Sequence, residues 1–434
     1  MTARYLAVSA LMRVEAGGYS NLVLDAELKK CGLSSEDKAF SAAVFYRVLE
    51  HRATLDYILN QFLKKPVAKL DAPVRDILRS GLAQLRYMDT PPSAAVNEAV
   101  KLTRAFGKSS ASTLVNAVLR RAGGYDLSKA VFTSEEEKLS VLGSVSPAIA
   151  RHFLRYYPQE AMNILMMTQE KALTAVRVNT LRTTSPALAA RLLAEGAHKA
   201  EECGVPGCLL VEFAGSPAQT PAFREGLFHV QGRTSQLAAL ALGARPGDKV
   251  VDLCAAPGGK SRTIAQEMQN EGQLYSCDVS PNRVSLIKKT LAAGGITCAE
   301  TLCGDAAVYN EKLGGANRIL ADVPCSGLGI LSKKPDIRYK DLAELPQLVA
   351  LQASILGNAV KCLQNGGRLV YSTCTLNPEE NENQIQRFLK EHPEMHVVKP
   401  DILPDTMHQG PFGALSLPHE TGMDGFFICT MEKQ

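Results

Sequence analysis

No run of about 18 uncharged apolar residues occurs anywhere in the 434-residue chain, which excludes a bilayer-spanning helix. The opening stretch MTARYLAVSALMRVEAGG lacks an apolar core followed by a small-residue cleavage site, so no export signal is expected and the location expected is cytoplasmic. Internal repeats and low-complexity tracts are missing too. The eleven cysteines are an odd number spread from Cys31 to Cys429, which is no disulfide framework, and reduced thiols are expected. Closely spaced C-x2-C pairs are also missing. The nearest approximations, Cys203 with Cys208 and Cys298 with Cys303, each stand five apart, so no metal site is expected. Charge of one sign is scarce, the net being only +4.

What is present is an ordinary globular composition, 46% hydrophobic and 21% charged, in a chain long enough for two or three domains. The small basic surplus is unevenly placed. Residues 1–140 carry 20 Lys and Arg against 15 Asp and Glu, leaving 28 against 29 for the rest. That fits a polyanionic partner and fits a solvated helical surface equally well.

From Ala3 to about Gly123 apolar residues recur at helical spacing, as in Leu6, Ala10, Val14 and in Leu114, Val115, Val118, Leu119. Ser34 with Asp37, Asp71 before Pro73, and Pro91-Pro92-Ser93 read as helix entries. An all-α domain over 1–140 is expected. Residues 141–235 read as a linker and a small α+β module, with strand-like pieces at 175–178 and 226–230. From 236 to 434, strand-like runs at 249–253, 274–277, 318–321 and 368–372 alternate with helix-length segments. Such alternation predicts an α/β, Rossmann-like domain with a parallel sheet.

The sharpest stretch is Val250-Val251-Asp252-Leu253-Cys254-Ala255-Ala256-Pro257-Gly258-Gly259-Lys260-Ser261, a strand, a small-residue turn and a helix start. Small residues admit a ligand close to the backbone, and the helix start offers free N–H groups to an anion. A P-loop is disfavoured, because Cys254 stands where its first glycine belongs and Pro257 removes an N–H. A dinucleotide fingerprint G-x-G-x-x-G is absent. S-adenosyl-L-methionine remains as the expected cofactor. Asp278 would meet ribose hydroxyls and Asp305 the adenine side, although a lone acid at a strand end is as often a helix cap.

Two further strand ends carry Asp322-Val323-Pro324-Cys325-Ser326-Gly327 and Ser372-Thr373-Cys374-Thr375, so both cysteines fall on the ligand-binding edge of one sheet. Small cysteines often pack as inert hydrophobes. At this edge a thiolate also has chemistry open to it, since adding at carbon 6 of a cytosine ring activates carbon 5 toward a methyl group.

The motifs DLCAAPGGKS, ADVPCSGLG and YSTCT, with LNPEENENQI after the last and MDGFF near the end, resemble the RNA cytosine-C5 methyltransferases of Sun/Fmu type. The N-terminal region, through Val96-Asn97-Glu98-Ala99-Val100 and residues 114–121, is similar to the all-α domain of NusB. Together they resemble the bacterial enzymes acting on small-subunit (16S) ribosomal RNA. The resemblance implies Cys374 as the nucleophile and Cys325 as an aid to product release. It implies Asp322 at the cytosine's nitrogen edge beside the methyl donor. Cys254, Ala255, Ala256, Pro257, Gly258, Gly259, Lys260, Asp278 and Asp305 would be cofactor contacts, with Lys260 meeting the methionine carboxylate. Arg177-Val178-Asn179 resembles an RNA-positioning segment, and could equally be a strand with a solvated Arg. Gly232 departs from the family, which commonly has an acid there. Lys101, Arg104, Lys108, Arg120 and Arg121 are candidates for a phosphate-facing arm or a solvated charged face. Ribosomal RNA is the expected partner and a monomer the expected state. The alternatives are another RNA substrate, transfer RNA or large-subunit ribosomal RNA, and a catalytically idle RNA-binding protein.

Overall fold

Ser34 starts a helix as its sequence suggests: Oγ accepts from the Asp37 amide at 3.1 Å, and the helix runs Ser35–Asn60 with a kink at His51. Asp71 precedes the helix Ala72–Tyr87 without capping it, because its carboxylate takes Lys108 Nζ at 2.6 Å instead. The computed structural model describes residues 2–167 and 173–434. They form two units, one made of residues 2–167 with 331–342 and the other of 173–330 with 343–434.

The first unit is helical. Leu6, Phe45, Ile58, Ile77, Val118 and Leu119 are buried in its core. Of the expected stripe Leu114, Val115, Val118, Leu119, the last three are buried on the helix Ser112–Ala122 together with Ala122, whereas Leu114 lies off that face and is exposed. The distant segment 331–342 belongs to this unit through buried Arg338. Arg338 Nη1 donates to Gly143 O at 2.9 Å, and its carbonyl accepts from Ser146 N at 2.7 Å. Nothing in helical periodicity announces that segment, which the sequence reading leaves with the α/β domain.

The second unit holds two sheets. Strands β1 (Thr174–Val178), β2 (Lys199–Glu202), β3 (Cys208–Glu212) and β4 (Phe228–Val230) form an antiparallel sheet in the order β2-β3-β1-β4. Arg177 on β1 is not solvated. It is 1% exposed, with Nη2 on Glu267 Oε1 at 2.8 Å and Nε on Gln266 Oε1 at 3.2 Å. Asn179, fully buried, donates to Gly226 O and Gly294 O. Both side chains therefore tie this small sheet to the larger domain.

The larger sheet comprises β5 (Lys249–Asp252), β6 (Gln273–Asp278), β7 (Ala299–Cys303), β8 (Ala316–Asp322), β9 (Leu363–Thr373), β10 (Met395–Val398), β11 (His408–Gly410), β12 (Gly413–Ser416) and β13 (Phe426–Lys433). Its order is β11-β12-β13-β9-β8-β5-β6-β7, with β10 on β13. Only β7-β6-β5-β8-β9 is parallel. The expectation of a parallel sheet needs correcting at the C-terminal end, where β13 runs antiparallel to β9, β10 and β12. The connection from β12 to β13, residues 417–425, is too short for a parallel crossover. The chain leaves β5 toward β6 on one side and returns to β8 on the other, so the carboxyl ends of β5 and β8 flank a topological switch point, where ligands bind in such sheets.

Candidate active site

β5 ends at Asp252 and the loop 253–258 turns into the helix Gly259–Glu267. Gly258 makes the turn at φ +105°, where a Cβ would lie 3.0 Å from Thr290 Cβ and 3.3 Å from Ile287 Cα; glycine alone fits. Ala255 N donates to Cys277 O at 2.8 Å, and Thr290 Oγ1 donates to Pro257 O at 2.7 Å, which pins the loop to its neighbours. Beside it opens a cavity of about 350 Å³ lined by Leu253, Cys277, Leu302, Gly304, Asp305 and Tyr309, among others.

Asp305 thus reaches the cavity from the end of β7, while its Oδ1 also accepts from Ala307 N at 2.9 Å. Asp278 follows Cys277 at the end of β6 and is buried, with Oδ1 accepting from Ser280 N at 3.0 Å and Oδ2 3.3 Å from Arg283. Each acid orders the turn behind its strand.

Asp252, at the head of the loop, is a site residue that the sequence reading passes over by starting the cofactor contacts at Cys254. Its one signal is an acid closing an apolar strand immediately before the small-residue turn. The side chain is fully buried, Oδ2 accepts from Ser261 Oγ at 2.6 Å, and Oδ1 has no hydrogen-bond partner among the described residues. Burial pushes its carboxyl up to about 7, with nearby Asp322 adding to the shift. An orphaned carboxylate oxygen beside a glycine turn and a helix start suits the ammonium and carboxylate of a bound methionine moiety, so the residues present fit S-adenosylmethionine.

Lys260 has a partner inside the protein: Nζ donates to Asp322 Oδ2 at 2.8 Å, while Asp322 Oδ1 accepts from Ser372 Oγ at 2.7 Å. Burial works to lower the Lys260 ammonium, but Asp322, with Asp252 and Cys374 adding to it, more than reverses this and the net shift is upward. Asp322 and Ser372 are register partners on β8 and β9. Just beyond them Cys325 Sγ and Cys374 Sγ are 3.3 Å apart. The Cys325 thiol is raised well above its usual range, first by its hydrogen bond to the Cys374 sulfur and then by burial. Either sulfur can be the donor in this contact. Cys254, Cys277 and Cys429 are instead raised chiefly by burial, as expected for packed thiols.

The ADVPCSGLG and MDGFF motifs meet here. Gly329 N donates to Cys374 O at 3.0 Å and Gly425 N donates to Gly329 O at 2.8 Å. A Cβ on Gly329 would fall 1.9 Å from Gly425 O, so the two glycines are there for the close approach of two backbones.

In the helical unit, Lys101 pairs with Glu98, Lys108 with Asp71, Arg120 Nε with Asn116 Oδ1, and the Arg121 guanidinium lies over the Phe62 ring. Arg104 is exposed on the same helix as Lys101. Among the described residues no group of three or more His, Cys, Asp or Glu side chains could hold a metal ion, and no helix is long and apolar enough to cross a membrane. Gly232, the departure from the family pattern, is the N-cap of the helix Arg233–Ala241 and offers no side-chain cap.

Residues 239–432 match the family model of 16S rRNA methyltransferase RsmB/F, and residues 1–123 match that of the NusB family. A probable ribosomal RNA small subunit methyltransferase B of Synechocystis sp. is 33% identical, covering 100% of both chains. One from Bacillus subtilis is 33% identical over 99% of this chain and 98% of its own. Among solved structures, a methyltransferase homolog protein from Pyrococcus horikoshii is 27% identical at a TM-score of 0.61, covering 70% of this chain and 100% of that one. Family models at both ends, and full-length relatives one third identical, agree with the site's geometry: the chain belongs to the RsmB/F family of S-adenosylmethionine-dependent 16S rRNA methyltransferases, with a NusB-family domain in its N-terminal region.

Proposed function

We propose that this protein methylates carbon 5 of one cytosine in small-subunit ribosomal RNA, with Cys374 as a covalent nucleophile. The observation that carries the reading is the pair of thiols 3.3 Å apart, beside the Lys260–Asp322 pair and across from the cofactor loop. S-adenosylmethionine, when bound, supplies an electrophilic methyl group. The target cytosine is unstacked into the cleft. Cys374 Sγ then forms a bond to carbon 6 and gives carbon 5 the electron density to take the methyl group. Asp322, held by Lys260 and Ser372, is placed to accept from the nitrogen edge of the cytosine. Loss of the carbon 5 proton and cleavage of the S–C6 bond return the electron pair to the Cys374 sulfur. Cys325, with its raised thiol against that sulfur, assists this release.

Asp278 and Asp305 serve the ribose and adenine of the cofactor in this reading, alongside the loop 254–260. Residues 1–140 hold RNA, residues 141–235 help to position it, and 236–434 carry out the chemistry. Both thiols, Asp322 and the loop come from one chain, so a monomer suffices. With a ribosomal RNA substrate the enzyme works in the cytoplasm.

The test is Cys325→Ala incubated with RNA and S-adenosylmethionine. A protein–RNA adduct that survives denaturing electrophoresis is expected, because addition proceeds and release stalls. Free RNA alone, alongside full methylation, would overturn the release role.

A further inference from the structure

The sequence LNPEENENQI directly after the Cys374 motif is used by none of the steps above, yet three of its side chains are buried in the heart of the site. Asn377, Glu380 and Asn381 are each 0–1% exposed. We propose that Glu380 and Asn381 are positioning residues that hold the two thiols in register, Glu380 through the Cys325 loop and Asn381 through the backbone on both sides of Cys374. The inference rests on the reading of Cys374 and Cys325 as the reacting pair.

Asn381 grips the nucleophile's loop from both sides. Thr373 Oγ1 donates to its Oδ1 at 2.6 Å, and its Nδ2 donates to Thr375 O at 3.0 Å, so the residues before and after Cys374 are tied to one amide. Glu380 does the same for the other loop. Its Oε1 accepts from Ser326 N at 2.9 Å and from Gln352 Nε2 at 3.0 Å, and the same Gln352 nitrogen donates to Pro324 O at 2.8 Å. Pro324 and Ser326 are the residues before and after Cys325.

A single chain of donors joins the two grips. Glu380 Oε2 accepts from Ser326 Oγ at 2.5 Å and from Asn377 Nδ2 at 2.9 Å. Having given its proton to Glu380, Ser326 Oγ accepts from Thr375 Oγ1 at 2.7 Å, and Thr375 Oγ1 in turn accepts from Asn377 N at 3.2 Å. Tyr371 OH, one turn of the strand earlier, donates to Glu380 O at 2.6 Å. Four donors converge on the two oxygens of one buried carboxylate, the full set for an acceptor-only group. Packing alone would be met by apolar side chains; a carboxylate here links two loops that come from different strands, and its removal would leave several buried donors unpaired.

The test reads the distance between the thiols without using the methyl-transfer reaction. The full-length protein is treated with diamide, an azo oxidant that takes two electrons and two protons from a thiol pair to become a hydrazine while one S–S bond forms. The Cys325–Cys374 disulfide is then measured by non-reducing peptide mapping. The wild type should form it readily. Glu380→Gln and Asn381→Ala should form it about tenfold more slowly or worse and lose kcat by a similar factor, since misplacement of reacting groups by an ångström costs that much or more. The KM for RNA and the affinity for S-adenosylmethionine should stay within about twofold, as neither grip touches a binding surface.

Thr375→Val cuts the hydroxyl bridge between the loops and removes the acceptor of Asn377 N, leaving both grips themselves in place; should the first two variants fail to fold, it must show the same slowing. Folded variants that oxidise and turn over at the wild-type rate would overturn the proposal. Slowed oxidation in a protein whose Cys374→Ala form still methylates RNA would leave the positioning intact and strike instead at the reading of Cys374 as nucleophile.

Discussion

Cys325 Sγ and Cys374 Sγ meet at 3.3 Å although 49 positions separate them in the chain. What joins them is the parallel pairing of β8 and β9, which sets Asp322 opposite Ser372 and lets both strands release their loops at the same edge. Charge, hydroxyl and thiols follow from that one register: Lys260 and Ser372 fix Asp322, and the cysteines follow three residues beyond Asp322 and two beyond Ser372. A slip of one residue would turn one partner of each pair to the opposite face of the sheet.

Asp252 should make the cofactor-free protein sensitive to pH. Its carboxyl is raised to about 7 by burial, so the folded protein holds this proton more tightly than the unfolded chain, where an aspartate titrates near 3.9. The site's contribution to stability therefore falls as pH climbs from about 4 to about 7 and is flat above that. In thermal melts across this range, Asp252→Asn should gain on the wild type as pH rises. Parallel curves would contradict the assignment.

Gly329→Ala should be severe for its size. The added methyl would meet the Gly425 carbonyl at 1.9 Å, backbone against backbone, with no flexible side chain to yield. A loss of at least about 2 kcal/mol in denaturant unfolding is expected, from overpacking. Activity should fall further than stability does, because Gly329 N also holds the Cys374 carbonyl.

Lys260→Met separates two roles for one ammonium. With Lys260 serving Asp322, as the 2.8 Å contact indicates, kcat should fall by about 10- to 100-fold while cofactor affinity changes little. A large loss of S-adenosylmethionine affinity with kcat preserved would restore the role that the family resemblance suggests, contact with the methionine carboxylate. Titration calorimetry and single-turnover assays give the two numbers.

Gly232→Asp should add the missing side-chain cap to the helix Arg233–Ala241, for a gain of a few tenths of a kcal/mol and no more, because glycine is itself a fair N-cap. Denaturant midpoints measured side by side would show it. A gain above about 1 kcal/mol would mean that the position does something besides capping.

The sequence announces whatever depends on local pattern. The strand–turn–helix around Gly258, the acids closing β6 and β8, and the cysteines after β8 and β9 are all short-range signals, and each lands where its motif implies. Signals that depend on distant partners are silent. Arg177 reads equally as part of an RNA-positioning segment or as a strand residue with a solvated guanidinium, and only the fold shows it buried on Gln266 and Glu267. Arg338 comes shortly after the ADVPCSGLG motif in the chain yet packs into the helical unit, and its partner Gly143 is too far away in the chain for the sequence to show the contact. For Lys260 the family resemblance suggests a ligand carboxylate, and only the fold shows Asp322, 62 positions on, beside its ammonium. Glu380 and Asn381 are visible as part of a motif, but their purpose is not, since both loops they grip must first be brought together. The antiparallel β10–β13 are missed for a related reason: alternation of strands and helices says nothing about short strands that follow the last long helix.

In the proposed reaction Cys374 is the nucleophile of a cytosine-C5 methylation of small-subunit ribosomal RNA. The most direct test is transfer of labelled methyl from S-adenosylmethionine to protein-free 16S RNA by the wild type and by Cys374→Ala, followed by bisulfite sequencing of the product. A single protected cytosine is expected with the wild type and at least about a 10³-fold loss with the variant, as for removal of other covalent nucleophiles. Undiminished methylation by Cys374→Ala, or protection of cytosine in some other RNA and none in 16S, would contradict it.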